Sequence, residues 1–499
     1  MSETLSSPRK WGALVVLVGA VLLLAIDGTV LYLAVPSLAA DLSPTASQVL
    51  WIGDIYSLAL AGLLVTMGNL ADRIGRKRLL LIGSLAFGGA SAMAAFASSA
   101  EMLILSRMLL GIAGATIMPS TLSLIRNIFT DQVERTRAIA VWSAAASAGI
   151  ALGPLVGGLL LEHFWWGSVF LINLPVMLLV LVAGAWLLPE SRDPKPGRFD
   201  LVSSGLSMLA IVPFVFTIKQ LASGVLDVPT LAAILVSLVS GVLFVRRQRR
   251  VDSPMIDVEL FRNSAFSGAV MVNFISVFAL SGVLFFFSQY LQLARELSPL
   301  QAGLAQLPAA IASMLAVALV GFLLTRLGRG RAIAVALVLG AAGMVLIAAF
   351  EGSGSLLWVL LALVPLGLGI GIAETLSVDA VVSAVPSSKA GAAASVSETA
   401  YELGVAFGIA VLGSIITVFY RAHLQLPSDV PSEAAARSED SLASASEVLE
   451  RGSEALRAAQ EAFVAGMQAT TLIAGGVMVI AAIVALVFIP NHRQAVIEH

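Results

Sequence analysis

The chain has 499 residues, 58% hydrophobic and 12% charged, where a soluble globular domain carries roughly 25% charged residues. This excludes a soluble fold, and the absence of cysteine excludes disulfides, thiolate metal sites and cysteine nucleophiles. The net charge of -2 gives no reason to expect a nucleic-acid partner, and the informative quantity is where the charges fall.

Crossing a hydrocarbon core takes about 20 apolar residues of helix, and fourteen runs are long enough. The first, Trp11–Leu38, is too long for a signal-peptide core and lacks a cleavage-like end, so it reads as a retained span. Val49–Leu70, Leu79–Ala97, Met102–Ile125, Ala138–Leu161 and Ser168–Leu188 follow. Leu201–Leu221 and Val228–Val245 come next. The remaining six are Phe266–Leu293, Ala302–Leu324, Ala332–Phe350, Leu356–Val382, Ala392–Phe419 and Ala465–Ile489.

With the N-terminus inside, 22 of the 29 lysines and arginines lie on the cytoplasmic side, Lys195, Arg198 and Arg493 among them. That follows the positive-inside rule and places both termini in the cytoplasm of a cell whose plasma membrane holds the protein. The basic stretch Arg246 to Arg250 is expected at the lipids of the anionic inner leaflet.

Two stretches recur. Gly68-Asn-Leu-Ala-Asp-Arg-Ile-Gly-Arg-Lys-Arg78 returns as Gly321-Phe-Leu-Leu-Thr-Arg-Leu-Gly-Arg-Gly-Arg331, an offset of 253 residues. Gly149, Gly153 and Gly158 fall on Gly404, Gly408 and Gly413 at an offset of 255. Tandem copies imply two related membrane halves. We expect a six-helix half over 1–190, a linker with two inserted helices over 191–262, and a second half over 263–499. An extracytoplasmic loop covers about 420–464. There Leu442, Leu449, Leu456 and Phe463 recur every seven residues from Ser441 on, as one apolar stripe of a helix. Such a helix either rests on the outer rim, the reading we favour, or forms a lid over the exit.

Ionisable groups inside spans are costly and mark function. Here they are Asp27, Asp54, Arg107, Glu374, Asp379, Glu398 and Glu402. Lys219 lies near a helix end, where it can snorkel to the interface. None of His163, His423, His492 and His499 falls in a span, so any proton relay uses carboxylates, whose ionised form burial disfavours. Asp27 and Asp54 are expected to share Arg107, as a proton switch or as a static bridge. Tyr32, Trp51 and Tyr56 either line the same pocket or only pack. Glu398 and Glu402 share one helical face at i, i+4, where two like charges destabilise each other until a proton or a cationic guest relieves them. Glu374 joins that site, and Asp379 lies at a solvated helix end. The run Gly149, Gly153, Pro154, Gly157 and Gly158 allows close helix contact and a bend.

These residues carry a resemblance. Asp27-Gly-Thr-Val-Leu-Tyr-Leu-Ala-Val-Pro36 resembles the first-helix motif of the 14-span drug:proton antiporters, and Gly68–Arg78 resembles motif A of the major facilitator superfamily. Leu105–Gly114, with Arg107, is similar to motif B, Ala148–Gly158 to the antiporter motif C, and Glu398–Gly408 to the acidic thirteenth-helix motif of EmrB/QacA-type exporters. The resemblance implies an all-α facilitator fold with 14 spans and proton-driven, alternating-access export of lipophilic, often cationic drugs, a basis of antibiotic resistance. We expect proton coupling by Asp27, Glu402, Glu398, Asp54 and Glu374, and the resemblance to motif B implies a part in it for Arg107. Cargo contacts fall to Asp27, Tyr32, Tyr56, Glu374, Glu398 and Glu402. Gating falls to Gly68, Asp72, Arg73, Gly75, Arg76 and the glycine–proline run, with Asp72 as a charged lock to the neighbouring half. Tyr32 replaces the usual asparagine, and Thr325 replaces Asp72 in the second copy. We expect no enzyme activity, cofactor or metal, since no phosphate-binding loop is present, and we expect a monomer. Export of an endogenous lipid or metabolite is the alternative.

Overall fold

The computed structural model describes residues 7–192, 200–222, 224–251, 254–386 and 389–491. Lys195, Arg198, Arg493, His492 and His499 lie outside them. Fourteen helices are long and apolar enough to cross a membrane. They are α1 (Ser7–Leu42), α2 (Ala46–Ile74), α3 (Arg76–Ala95), α4 (Ala100–Ile128), α5 (Gln132–His163) and α6 (Ser168–Leu187). Then come α7 (Leu201–Ala222), α8 (Val228–Gln248), α9 (Ser264–Gln289, continued by a π turn to Ala294) and α10 (Pro299–Leu327). The last four are α11 (Arg329–Glu351), α12 (Leu356–Ser383), α13 (Ala390–His423) and α14 (Glu454–Phe488).

Most helices outrun the expected spans, because hydropathy marks only the part that sits in hydrocarbon. The largest difference is α14, which begins at Glu454 rather than Ala465. The seven-residue stripe is consequently not one helix. It is broken after Leu442–Val448, Gly452 takes a positive φ of 77°, and Leu456 and Phe463 already belong to α14. All four stripe residues are nevertheless buried, so the apolar spacing registered burial correctly and continuity wrongly. A second short helix, Ser432–Ser438, precedes the break.

The repeated motif closes α2 and opens α3 through a single residue. Gly75 has φ 113° and ψ 131°, and Gly328 holds φ 78° at the equivalent junction of α10 and α11. A side chain at Gly75 would also meet the Glu190 carboxylate, with Oε1 2.5 Å away. The positive φ is what demands glycine, since the Glu190 side chain could swing aside.

The other repeat packs α5 on α1 and α13 on α9. Gly149 and Gly157 sit against Leu22, Ala25 and Val30 of α1, while Gly404 and Gly408 sit against Phe274 and Phe278 of α9. The third glycine of each copy faces the opposite half: Gly158 meets Pro299 and Leu300 of α10, and Gly413 meets Leu50 of α2 and Phe286 of α9.

We call the end of the bundle where α1 begins the near end, and the other the far end. The halves are joined at the far end. There Gln292 donates to the Leu33 carbonyl at 3.0 Å, the Leu300 amide donates to Glu162 at 3.3 Å, and the Ala46 amide donates to Asp440 at 2.6 Å.

Candidate transport site

Each half contributes a different kind of charge to the middle of the bundle. In the first half, Asp27 of α1 and Arg107 of α4 form an ion pair at 3.1 Å, with side chains 0% and 1% exposed. Asn173 of α6 donates to the second Asp27 oxygen at 2.7 Å and also to Ser91 at 3.0 Å. Arg107 donates to the Ile52 carbonyl at 3.3 Å and lies over the Tyr56 ring, 4.6 Å from its centroid. Every donor that a buried carboxylate needs is therefore supplied from within one half.

Asp54 is not part of that arrangement: contrary to expectation, it pairs with another cation than Arg107. Its carboxylate points the other way from α2, toward α7, and pairs with Lys219 at 2.7 Å, the two side chains 0% and 1% exposed. Lys219 does not snorkel: its ammonium sits over the Trp51 ring, 3.5 Å from the centroid. Of the two readings open for Trp51, this contact fits packing rather than a pocket shared with Tyr32 and Tyr56. The reason is helical geometry, since positions 51, 54 and 58 fall on one face of α2.

The second half supplies acid without matching cations. Glu398 and Glu402 on α13 and Glu374 on α12 lie within electrostatic reach of one another, with Tyr401 among them. Among the described residues none of the three glutamates is in an ion pair. Ser57 of α2 lies beside Glu402 across the seam between the halves, and Arg107 is the nearby cation. Tyr32 closes the group from α1, stacked edge-on against Phe285 of α9 at 5.4 Å. Glu402 is 8% exposed, and Glu398, one turn nearer the start of α13, is more open. At about 1.5 Å per residue Glu398, eight residues into α13, lies on the order of 12 Å in from the near end. Ser57, Tyr401, Asn173 and Lys219 were not assigned from the sequence. Asn173 is the one that single polar residues in an apolar span would have flagged.

The gate residues of the α2–α3 loop sit at the near end. Asp72 is held by Arg76 at 2.9 Å on its own loop, and Arg76 also donates to Ser191 at 2.9 Å. Among the described residues Asp72 is thus paired within its own half. Arg73 is exposed and Gly68 packs beside Pro119. In the second copy, among the described residues, Thr325 donates to the Gly321 and Phe322 backbone carbonyls, and Arg329 takes Asp379 of α12 instead at 2.7 Å. Asp379 is therefore an ion-pair partner rather than a bare solvated terminus. Pro154 and Gly153 lie in α5 where it meets α10 and α1 respectively, Gly303 resting on the Pro154 carbonyl.

A model of the Major Facilitator Superfamily matches residues 17–409. The chain belongs to the major facilitator superfamily. It is a multi-pass membrane protein of a transporter family. It is 49% identical over 447 residues to the multidrug efflux pump LfrA of Mycolicibacterium smegmatis, covering 90% of this chain and 89% of that one. It is 37% identical to the methyl viologen resistance protein SmvA of Salmonella typhimurium, covering 88% and 89%. With the tetracenomycin C resistance and export protein of Streptomyces glaucescens it shares 33% identity over 96% and 91% of the two chains. Its facilitator fold is similar to the crystal structure of a bacterial homologue of the human lysosomal transporter Spinster in an inward-facing and occupied conformation. That match has a TM-score of 0.67 at 16% identity, covering 96% of this chain and 97% of that one.

Proposed function

We propose that the protein exports lipophilic cations in exchange for protons by alternating access, with both termini in the cytoplasm and the near end facing it. One observation carries the reading. Among the described residues, the buried cations Arg107 and Lys219 are each matched by an aspartate, while three glutamates remain in the chamber without an ion-pair partner. Such a surplus of acid in a low-dielectric layer must be balanced by protons or by a positive guest. Tyr32, Tyr56 and Tyr401 lie within electrostatic reach of these acids, and tyrosine rings suit a flat, greasy cation. The efflux and viologen-resistance relatives support that cargo class.

In the cycle we propose, protons arriving from the outer face neutralise Glu402 and Glu398, with Glu374 and Asp27 as further candidates, while Asp54 stays paired with Lys219. Their loss to the cytoplasm exposes the acids to the drug. Each tenfold of pH gradient is worth about 1.4 kcal/mol and each charge across 100 mV about 2.3 kcal/mol. One proton for one monovalent cation moves no net charge, so the potential contributes only when a second proton enters. The gradient then suffices without a cofactor, and the protein acts as a monomer rather than an enzyme. The tetracenomycin export relative favours a second reading, in which the same site carries out an endogenous product.

Purified protein in proteoliposomes with an imposed pH gradient, assayed with ethidium and with a dicationic viologen, tests the proposal. Uptake into acidic vesicles that an uncoupler abolishes is expected. Transport that ignores the gradient would sink it.

A further inference from the structure

The inserted pair α7–α8 lies across the seam between the halves, since α7 touches both α2 and α13. The two contacts differ in kind. Toward α2, α7 is fastened at three heights. Lys219 pairs with Asp54 at 2.7 Å. Two turns and more toward the near end, the Met208 thioether fills the space left by Gly62. Beyond it the hydroxyls of Ser204 and Thr66 hydrogen-bond each other, and both reach the Met255 sulfur of the following linker. Toward α13 the described contacts are apolar: Phe214 meets Phe407 edge-on at 5.7 Å, and Val215 and Ile211 pack with Ala406 and Ala410.

Sliding one apolar surface over another costs only rotamer changes, whereas separating a buried ion pair strands two charges in a low-dielectric layer. The residue Ser57, three positions from Asp54, meets α13 through Glu402. Helix α2 thus presents its permanent ionic contact to α7 and its hydroxyl contact to α13 on neighbouring faces.

We propose that Lys219 is a positioning residue of the transport cycle. Paired with Asp54 and resting on Trp51, it fixes the inserted pair to the amino-terminal half. Helix α13, which carries Glu398 and Glu402, then moves along a stationary apolar rail. The inserted helices belong mechanically to the first half, although the chain runs from them into the second.

The chain has no cysteine, so introduced thiols report without background. One variant carries Thr66→Cys and Ser204→Cys, and joins α7 to α2 by a disulfide. Another carries Phe214→Cys and Phe407→Cys, joined by a short bis-methanethiosulfonate, and ties α7 to α13. Ethidium efflux from cells is read before and after joining, and again after reductant. The α2 link is expected to leave efflux in place, and the α13 link to abolish it reversibly. Loss of efflux through the α2 link, or efflux that survives the α13 link, overturns the proposal. Lys219→Met is expected to slow oxidation of the Thr66→Cys, Ser204→Cys pair, with Lys219→Arg restoring the rate. An unchanged rate in Lys219→Met also overturns it. The transport readout rests on the export reading. If ethidium is not carried even before joining, that reading fails by itself, and the oxidation rates still decide what Lys219 fastens.

Discussion

Asp27 and Arg107 hold each other at 3.1 Å inside a single half of the protein, neither open to solvent. Rocking the halves does not require this pair to break, because α1 and α4 move together. Its connection to the seam runs through Arg107, which also acts on Glu402 across the interface. Asp27→Leu is therefore expected to do two separable things. It leaves Arg107 uncompensated in the interior, which costs about 3–5 kcal/mol and lowers the thermal midpoint in detergent. It also stops efflux. Adding Arg107→Met is expected to recover most of the midpoint but none of the efflux. A double variant as unstable as the single one would show that the pair is not self-compensating.

The three glutamates predict a charge-dependent loss of affinity. Glu402→Gln removes the acid at the seam and is expected to weaken ethidium binding by about tenfold, near 1.4 kcal/mol. Glu398→Gln, at the more open position, is expected to weaken a divalent viologen more than it weakens ethidium. Binding by fluorescence quenching at fixed pH measures both. Equal losses for the two cargoes in Glu398→Gln would mean that Glu398 acts on the proton side only.

Fourteen spans, their two-fold repeat and the acids of α13 were legible because each is written as a run or a spacing. Apolar length marks a span, the 253-residue offset marks a half, and i, i+4 places Glu398 beside Glu402. What was not legible is direction around a helix axis where several polar residues compete. Asp27 and Asp54 both lie in the far-end half of neighbouring spans, and nothing local says that one turns toward α4 and the other toward α7. Lys219 illustrates the same limit: position near a helix end permits snorkelling, and only the presence of Asp54 and Trp51 on the facing helix decides for burial. The loop stripe failed for a third reason, since Gly452 breaks the helix while the apolar positions on either side still reach the core.

Asp200 supplies a prediction at the near end, outside the spans. Partial burial opposes its ionisation, but hydrogen bonds from Arg247 and Ser203 outweigh that and bring its pKa down to about 2. Arg247 reaches both carboxylate oxygens, at 2.9 Å for the shortest contact. A carboxyl whose pKa is lower folded than unfolded stabilises the fold above its unfolded value, around 3.9, and loses that contribution as pH falls toward 2. The inserted pair should therefore loosen between about pH 4 and pH 2. Hydrogen exchange in α7 and α8 of wild type is expected to rise across that window. In Asp200→Asn it should start high and stay flat. A flat wild-type profile would remove the Asp200–Arg247 pair from the account.

Closure of the far end rests on small residues at the two places where the repeat turns outward from its own half. A Cβ at Gly158 would lie 2.7 Å from the Pro299 carbonyl oxygen, backbone that has no side-chain freedom to yield. Overpacking of this kind costs about 1–3 kcal/mol. Set against a two-state equilibrium, it shifts the ratio of far-end-closed to far-end-open protein by roughly 5–150-fold. Gly158→Val is thus expected to open the far end without unfolding the halves. A cysteine placed at Leu50, buried at the seam opposite Gly413, should become reactive to a membrane-impermeant thiol reagent added from the far side. Efflux should fall while ethidium still binds. Gly476, where a Cβ would meet nothing within 4 Å, provides the comparison, and Gly476→Val should leave both labelling and efflux as they were. Unchanged labelling in Gly158→Val would mean that the contact of α5 with α10 does not hold the far end shut.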